Sequence, residues 1–122
     1  MIKFDLIIAA EVIEHLPNPA SALCNLKAHL EHSGTLVLTT CNPFYYRQQS
    51  RIVRHGVVQV NAAHTCWYDP LTLARMVRSA GFTVVKGVWI APGRRWNPMT
   101  FAARWRKYWN PNFLVEAMQD DQ

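Results

Sequence analysis

The chain contains few glycines and cysteines and no long apolar segment. Its five glycines form no GxGxG motif, so the sequence offers no glycine-rich loop of the kind that holds a cofactor in nucleotide-binding α/β folds. Cys24, Cys41 and Cys66 are odd in number and lack CxxC spacing, so neither a disulfide framework nor a zinc knuckle is indicated. No apolar run approaches the roughly 18 residues of a membrane span. We therefore expect a soluble protein of the reducing cytoplasm, without a signal peptide.

Acidic residues are scarce in the second half of the chain. None lies between Asp69 and Glu116, and the formal net charge is +5. Half of the 122 residues are hydrophobic and 17% are charged, a composition that argues against intrinsic disorder. This length predicts one small domain, short for a complete nucleotide-binding α/β fold. The basic balance favours an acidic partner surface without identifying one.

The most informative segment is residues 4–19, FDLIIAAEVIEHLPNP. The apolar run from Leu6 to Ala10 predicts a strand buried on both faces, as in a parallel sheet. Ligands of open α/β sheets bind outside the carboxyl ends of such strands. Glu11, Glu14 and His15 follow there, so we expect these three side chains to be functional.

Cap signals and apolar periodicity divide the rest of the chain into helices and strands. Strand 3–10, the following helix and strand 35–40 form a right-handed parallel crossover. Asn18-Pro19 begins the first helix, which we expect to end at Gly34, and Asp69-Pro70 begins another that ends at Gly81. The remaining predicted elements are a short helix in 44–55, a loop over 56–68 that contains His64, and strands over 82–90 and 113–118.

Residues 92–111 interrupt the alternation of predicted helices and strands with a basic aromatic insert. The cluster comprises Trp96, Trp105, Trp109, Arg94, Arg95, Arg104, Arg106 and Lys107. A short amphipathic helix beginning at Asn97-Pro98 would pack its aromatic face on the sheet. Alternatively, the cluster grips phosphate, stacks on an acceptor ring or contacts a membrane surface. Nucleic-acid binding is not indicated, because no recognised module accompanies the charge.

Several motifs together resemble the class I S-adenosylmethionine-dependent methyltransferases. They are FDLIIAAEVIEHLPNP, the strand from Gly34 to Thr40 with Asn42-Pro43, then His64, Tyr68 and LTLARMVRSAGFTVV at 71–85, and finally NFLVEAM at 112–118. The EVIEH motif is similar to that of the ubiquinone-pathway and small-RNA 2′-O-methyltransferases. The resemblance covers most of the chain apart from roughly 44–63 and 92–111.

The resemblance implies a partial Rossmann-like α/β sheet with parallel strands and a C-terminal antiparallel strand. Strands 3–10, 35–40, 82–90 and 112–118 would be the fourth to seventh strands of the family, and residues 1–122 the C-terminal part of a methyltransferase domain. The N-terminal half, with its cofactor loop and ribose-binding acid, has no counterpart here. Three interpretations remain open: a fragment, a subunit paired with a chain that supplies the cofactor half, or a non-catalytic relic or binding module.

The resemblance also implies roles for individual residues. Ala10 and Glu11 would lie against S-adenosylmethionine. Glu11, Glu14, His15 and His64 would hold a divalent ion (Mg²⁺, Mn²⁺ or Zn²⁺) that binds acceptor hydroxyls. Without a metal, His15 or His64 would act as the catalytic general base. The alternative is that Glu14 stabilises the helix N-terminus, His15 makes a local hydrogen bond and His64 is a solvated loop residue.

The expected function is methyl transfer from S-adenosylmethionine to an oxygen of a small-molecule, sugar-like or lipid-linked acceptor. Two alternatives stay open, a non-catalytic half-domain that pairs with a second chain, and a nucleotide-binding α/β protein of different chemistry. Whether the half-domain is catalytic or not, strand 3–10 would lie at an apolar edge of the sheet. Such an edge predicts self-association or a partner chain there.

Overall fold

The computed structural model describes residues 2–56, 61–90, 108 and 111–119. Within these ranges the chain forms four strands, three α-helices and a single 3₁₀ turn at Ile13–His15. The strands are β1 (Phe4–Ala10), β2 (Leu30–Cys41), β3 (Phe82–Ile90) and β4 (Asn112–Gln119). The helices are α1 (Pro19–His29), α2 (Tyr46–His55) and α3 (Pro70–Ser79).

The four strands form one mixed sheet in the order β1-β2-β4-β3. β1 and β2 are parallel, whereas β4 runs antiparallel to both of its neighbours. This arrangement confirms the predicted α/β class with parallel strands and a C-terminal antiparallel strand. The described chain is a partial domain in which β1 pairs on one side only.

The core lies between one face of the sheet and helices α1 and α3. Alternate residues of β2 and β4 point into it, as period-two strands require. The helices contribute Leu23, Leu73 and Val77. The other fully buried apolar side chains are Ile13, Leu30, Leu36, Leu38, Phe82, Phe113, Val115 and Ala117. This core fixes β1 and β2 side by side, so that their carboxyl ends meet at one edge.

The prediction that β1 is buried on both faces is wrong for this chain. Leu6 is 51% exposed and Ile8 63% exposed, while Ile7 and Ala9 are half-buried. Leu6 and Ile8 project from one face of β1, and that face is largely uncovered among the described residues; in addition, β1 has a neighbouring strand on one side only. The structure therefore contains the open apolar sheet edge that the resemblance implies.

Helix α1 ends at His29, earlier than the predicted stop at Gly34. Leu30 is already extended, fully buried and part of β2. Gly34 lies within the strand, where an added Cβ would lie 2.9 Å from Cδ2 of Leu30 and 3.0 Å from the carbonyl oxygens of both Glu31 and Phe4. Lack of space beside its own strand and beside β1, rather than helix termination, favours glycine at this position.

The predicted helix caps are confirmed in atomic detail. The Asp69 carboxylate accepts hydrogen bonds from the N–H groups of Leu71 (2.8 Å) and Thr72 (3.2 Å), and the Thr72 hydroxyl oxygen accepts from the Asp69 N–H at 3.1 Å. Asn18 caps α1 by accepting from Ser21 N–H at 3.0 Å. Both helices have proline in the first turn.

The basic aromatic insert and the helix expected at Asn97-Pro98 fall on 92–111, of which only residues 108 and 111 are described. Among the described helices, none is both long and apolar enough to cross a bilayer.

Candidate active site

The chain leaves β1 through a left-handed turn at Glu11, whose φ is 53°. This conformation is uncommon for a residue with a side chain and tends to occur at functional sites. Two hydrogen bonds with Thr39 of β2 hold Glu11 in this conformation. The Glu11 N–H donates to the Thr39 carbonyl oxygen at 3.0 Å, and the Thr39 hydroxyl donates to a Glu11 carboxylate oxygen at 3.4 Å. The turn places the 3₁₀ segment at the carboxyl end of the parallel strands, as predicted.

Glu14, His15 and His64 meet at this edge of the sheet. One ligand atom from each lies within 4.8 Å of the others, a group able to hold a metal ion. Glu14 is fully buried, and neither of its carboxylate oxygens has a hydrogen-bond partner in the described ranges. A buried acceptor without a partner is costly, so a cation or a donor from a ligand fits this position.

The Nδ1 atom of each imidazole has a contact outside the group. His15 Nδ1 lies 3.1 Å from the carbonyl oxygen of Ala63, which can only accept, so that nitrogen carries the proton. His64 Nδ1 lies 4.0 Å from the Cys41 sulfur. The two rings meet edge to face at 4.6 Å. Engagement of Nδ1 leaves Nε2 of His15 as the acceptor, an orientation typical of metal-ligating histidines.

Thr65 attaches the His64 loop to the 3₁₀ segment. Its N–H donates to the Glu14 carbonyl at 2.7 Å, and its hydroxyl lies 3.0 Å from the carbonyl oxygens of both Glu14 and Leu16. Sequence reasoning missed Thr65, because a threonine in a loop carries no motif. Its position beside His64 was the only available signal.

Glu11 and Ala10 lie beside the cluster, not in it. Ala10 is exposed and pairs with Thr39, and the Glu11 carboxylate is outside the group of ligand atoms above. Partial burial raises the pKa of Glu11, and the negative charge of Glu14 raises it further. The assignment of both residues to the cofactor, and of Glu11 to a metal, therefore stays a prediction.

A cleft of about 220 Å³ opens next to the cluster. His64 belongs to both, and Asn42 and Pro43 line the cleft, as expected for the end of the second strand. Burial raises the pKa of Cys41, and the negative charges of Glu14 and Glu11 raise it further. The Cys41 thiol therefore stays protonated at neutral pH and is a poor nucleophile. The lining residues that sequence reasoning missed are Tyr45, Gln48, Asn61, Trp67, Pro111 and Asn112.

Known proteins resemble this chain mainly in fold. No curated protein matches it. Among solved structures, it is similar to the complex between the Haloferax volcanii Trm112 methyltransferase activator and a methyltransferase, with a TM-score of 0.66, 16% identity, and coverage of 98% of this chain and 55% of that one. It is also similar to an S-adenosylmethionine-dependent methyltransferase of Archaeoglobus fulgidus, with a TM-score of 0.66, 15% identity, and coverage of 96% and 60%.

A third similar structure is magnesium protoporphyrin IX methyltransferase of Synechocystis with bound S-adenosylhomocysteine, with a TM-score of 0.57, 12% identity, and coverage of 98% and 46%. The chain thus spans about half the length of these proteins. A family model described as a methyltransferase domain matches residues 3–86, more than half of the chain. The chain therefore belongs to the methyltransferase-domain family and has the class I methyltransferase fold.

Proposed function

We propose that this chain forms the C-terminal part of an S-adenosylmethionine-dependent methyltransferase that methylates an oxygen of a small or sugar-like acceptor. The observation that carries the proposal is the buried Glu14 carboxylate, without a hydrogen-bond partner in the described ranges and adjacent to His15 and His64. This group borders a cleft at the carboxyl ends of β1 and β2, where α/β enzymes bind ligands.

The ligand set fits a divalent cation. Carboxylate oxygen and imidazole nitrogen suit Mn²⁺ or Zn²⁺, and less well Mg²⁺. Glu14, His15 and His64 would hold the ion, and a bound ion would lower the pKa of an acceptor hydroxyl. The Glu14 oxygens hydrogen-bond to neither histidine although all three groups lie within 4.8 Å, so the cluster is more open than an ordinary Glu–His pair.

The cleft supports an acceptor of modest size. Its volume of about 220 Å³ is below the usual range for drug-sized ligands. Tyr45 and Trp67 offer aromatic rings, and Asn61 and Asn112 offer amides that can donate to and accept from hydroxyls. Rings combined with amides favour a compact polyhydroxylated or aromatic molecule, whose reacting oxygen would lie near His64.

Methyl transfer requires little covalent help from this chain. The acceptor oxygen attacks the methyl carbon, the carbon–sulfur bond breaks, and the sulfur leaves as a neutral thioether. The acceptor proton must go to solvent or to a base. Should His15 hold no cation, its Nε2 is the acceptor nitrogen available to take that proton. In both cases the residues at the strand ends orient the oxygen and assist deprotonation.

The open edge of β1 supports a cofactor half supplied from elsewhere. Phe4, Leu6 and Ile8 line an open apolar groove there, together with Leu26 of α1. We propose that a further strand pairs with β1, from the same polypeptide or from a second chain. The non-catalytic alternative uses the same edge, and it predicts pairing without methyl transfer.

Titration calorimetry with Mn²⁺ and Zn²⁺ tests the site without requiring turnover. We expect His64→Ala to weaken binding by more than about 100-fold, because loss of an outer partner alone typically costs about 10–100-fold. His55→Ala is the matched control, since His55 is exposed at the end of α2. Equal affinity of the wild type and His64→Ala would refute the cation site and leave general-base catalysis as the mechanism.

A further inference from the structure

A stripe of arginines runs along α2. Arg47, Arg51 and Arg54 are all exposed, and α2 buries none of its residues. With about 100° of rotation per residue, their spacing places the three within roughly 60° of one another. In the sequence no acidic residue occurs between Glu31 and Asp69, so the segments that flank α2 in sequence carry no negative side chain.

The arginine stripe lies on the helix that contributes Gln48 to the lining of the cleft. Tyr45, which precedes α2, and Gln48 on it both line the cleft, and Arg51 lies one helical turn beyond Gln48. Arg47 Nε donates to the Tyr46 hydroxyl at 3.1 Å, and its guanidinium carbon lies 5.9 Å from the Tyr46 ring centroid. These contacts hold one positive group near the end of α2 that borders the cleft.

The arrangement is unfavourable for a helix without a ligand. Arg47 and Arg51 are spaced i,i+4, Arg51 and Arg54 i,i+3, and like charges at these spacings repel. A helix with no buried residue gains little packing energy to offset that repulsion. An anion over the stripe would remove the repulsion, and guanidinium groups form bidentate hydrogen bonds with phosphate oxygens.

We propose that the arginine stripe binds a phosphate group of the acceptor while the body of the acceptor lies in the cleft. This inference rests on the proposed function and narrows the acceptor to a phosphate ester. The cluster of Glu14, His15 and His64 and the stripe would then contact the two ends of one substrate.

Titration with inorganic pyrophosphate in EDTA tests the stripe alone, without cofactor or metal. NMR shift changes of the amides of Tyr45 and Gln48 report binding beside the cleft. We expect Arg47→Gln/Arg51→Gln/Arg54→Gln to weaken binding by about tenfold or more, because it removes the charge-assisted hydrogen bonds. The control is Arg75→Gln/Arg78→Gln on α3, whose arginines are also exposed and which should bind within about twofold of wild type.

Two further results decide the proposal. Pyrophosphate should raise the melting temperature of the wild type but not that of the triple variant. Without the anion, the triple variant should be at least as stable as the wild type. Equal weakening in both variants, or shifts away from Tyr45 and Gln48, would show diffuse anion binding and overturn the proposal. Vesicles of phosphatidylcholine with phosphatidylglycerol form the second arm: binding to these but not to pyrophosphate would identify a membrane surface and equally overturn it.

Discussion

The N–H of Thr65 donates to the main-chain carbonyl of Glu14 at 2.7 Å, across 51 positions of sequence, and the Thr65 hydroxyl lies 3.0 Å from the carbonyl oxygens of both Glu14 and Leu16. The neighbouring His64 thereby reaches the side chains of Glu14 and His15. Together with the contact between His15 Nδ1 and the Ala63 carbonyl oxygen, this connection joins the loop to the 3₁₀ segment and forms the candidate cation site.

Thr65→Val tests this connection, because valine keeps the shape and removes the hydroxyl. We expect metal affinity to fall by about 10–100-fold, as for other outer-sphere changes. The free energy of unfolding should fall by about 1 kcal/mol for the lost hydrogen bond. Calorimetric metal titration and urea unfolding measure the two quantities. The control is Thr35→Val, at a half-buried position of β2. Equal metal affinities of the two variants would contradict the role of Thr65.

Glu14→Gln separates a ligand from a structural residue. In EDTA the variant should be as stable as wild type or up to about 3 kcal/mol more stable, because a neutral amide replaces a buried carboxylate that lacks a partner. With metal at 100 times its Kd, the wild type should gain about 2.7 kcal/mol and the variant nothing. Thermal unfolding with and without metal measures both effects.

The control for this substitution is Glu31→Gln, since Glu31 is exposed at the start of β2. Glu31→Gln should leave unchanged both the stability in EDTA and the stabilisation by metal. A Glu14→Gln protein that is destabilised in EDTA yet still stabilised by metal would assign Glu14 a purely structural role.

Charges on the β1 edge should suppress self-association of the isolated chain. Leu6→Lys/Ile8→Lys introduces lysine at two exposed apolar positions of β1, which has a neighbouring strand on one side only, and such charges commonly protect against edge-to-edge pairing. We expect light scattering after size-exclusion chromatography to show oligomers for the wild type and monomers for the variant. Val53→Lys, at an 84% exposed site on α2, should still associate. A monomeric wild type would contradict the prediction.

The Asp69 cap predicts a dependence of stability on pH. Burial alone would raise the pKa of Asp69, but hydrogen bonds from Thr72 and from the N–H of Leu71 outweigh it and hold the pKa below the usual 3.8. A lowered pKa in the folded state means that the charge stabilises the protein above about pH 4 and ceases to do so as the pH falls through the folded value.

Asp69→Asn isolates that charge, because asparagine caps a helix about as well as aspartate. The wild type should be more stable near pH 7, and the difference should vanish at about pH 2. Urea unfolding at several pH values measures it. A difference that is constant across this range would refute the assignment.

Local signals in the sequence predicted much of the fold. Asp69-Pro70 located the start of α3, because capping depends on four neighbouring residues. The EVIEH segment located the end of β1, because the change from apolar to charged residues is also a local signal. Gly34 led to a wrong helix end, because it lies in a strand where Leu30, Glu31 and, across the sheet, Phe4 leave no room for a side chain. A glycine that ends a helix and one that admits a neighbouring strand look identical in sequence.

The candidate site was only half predictable. Glu14, His15 and His64 could be identified from the motif and the resemblance. The contribution of Thr65, the Ala63 carbonyl and Trp67 depends on how the loop folds back onto the strand end. The arginines of α2 were visible in the sequence, but their position beside the cleft follows from the packing of the strand that precedes them.

The most direct test of the central claim is titration of S-adenosylmethionine. The claim is that the strand end of Ala10 and Glu11 completes a cofactor site whose other half pairs with β1. We predict negligible affinity for this chain alone. For a polypeptide extended at the N-terminus by the missing strands, we predict a Kd of about 1–100 μM, ordinary for a small cofactor. No affinity in the extended polypeptide, with the sheet correctly folded, would contradict the assignment to methyl transfer.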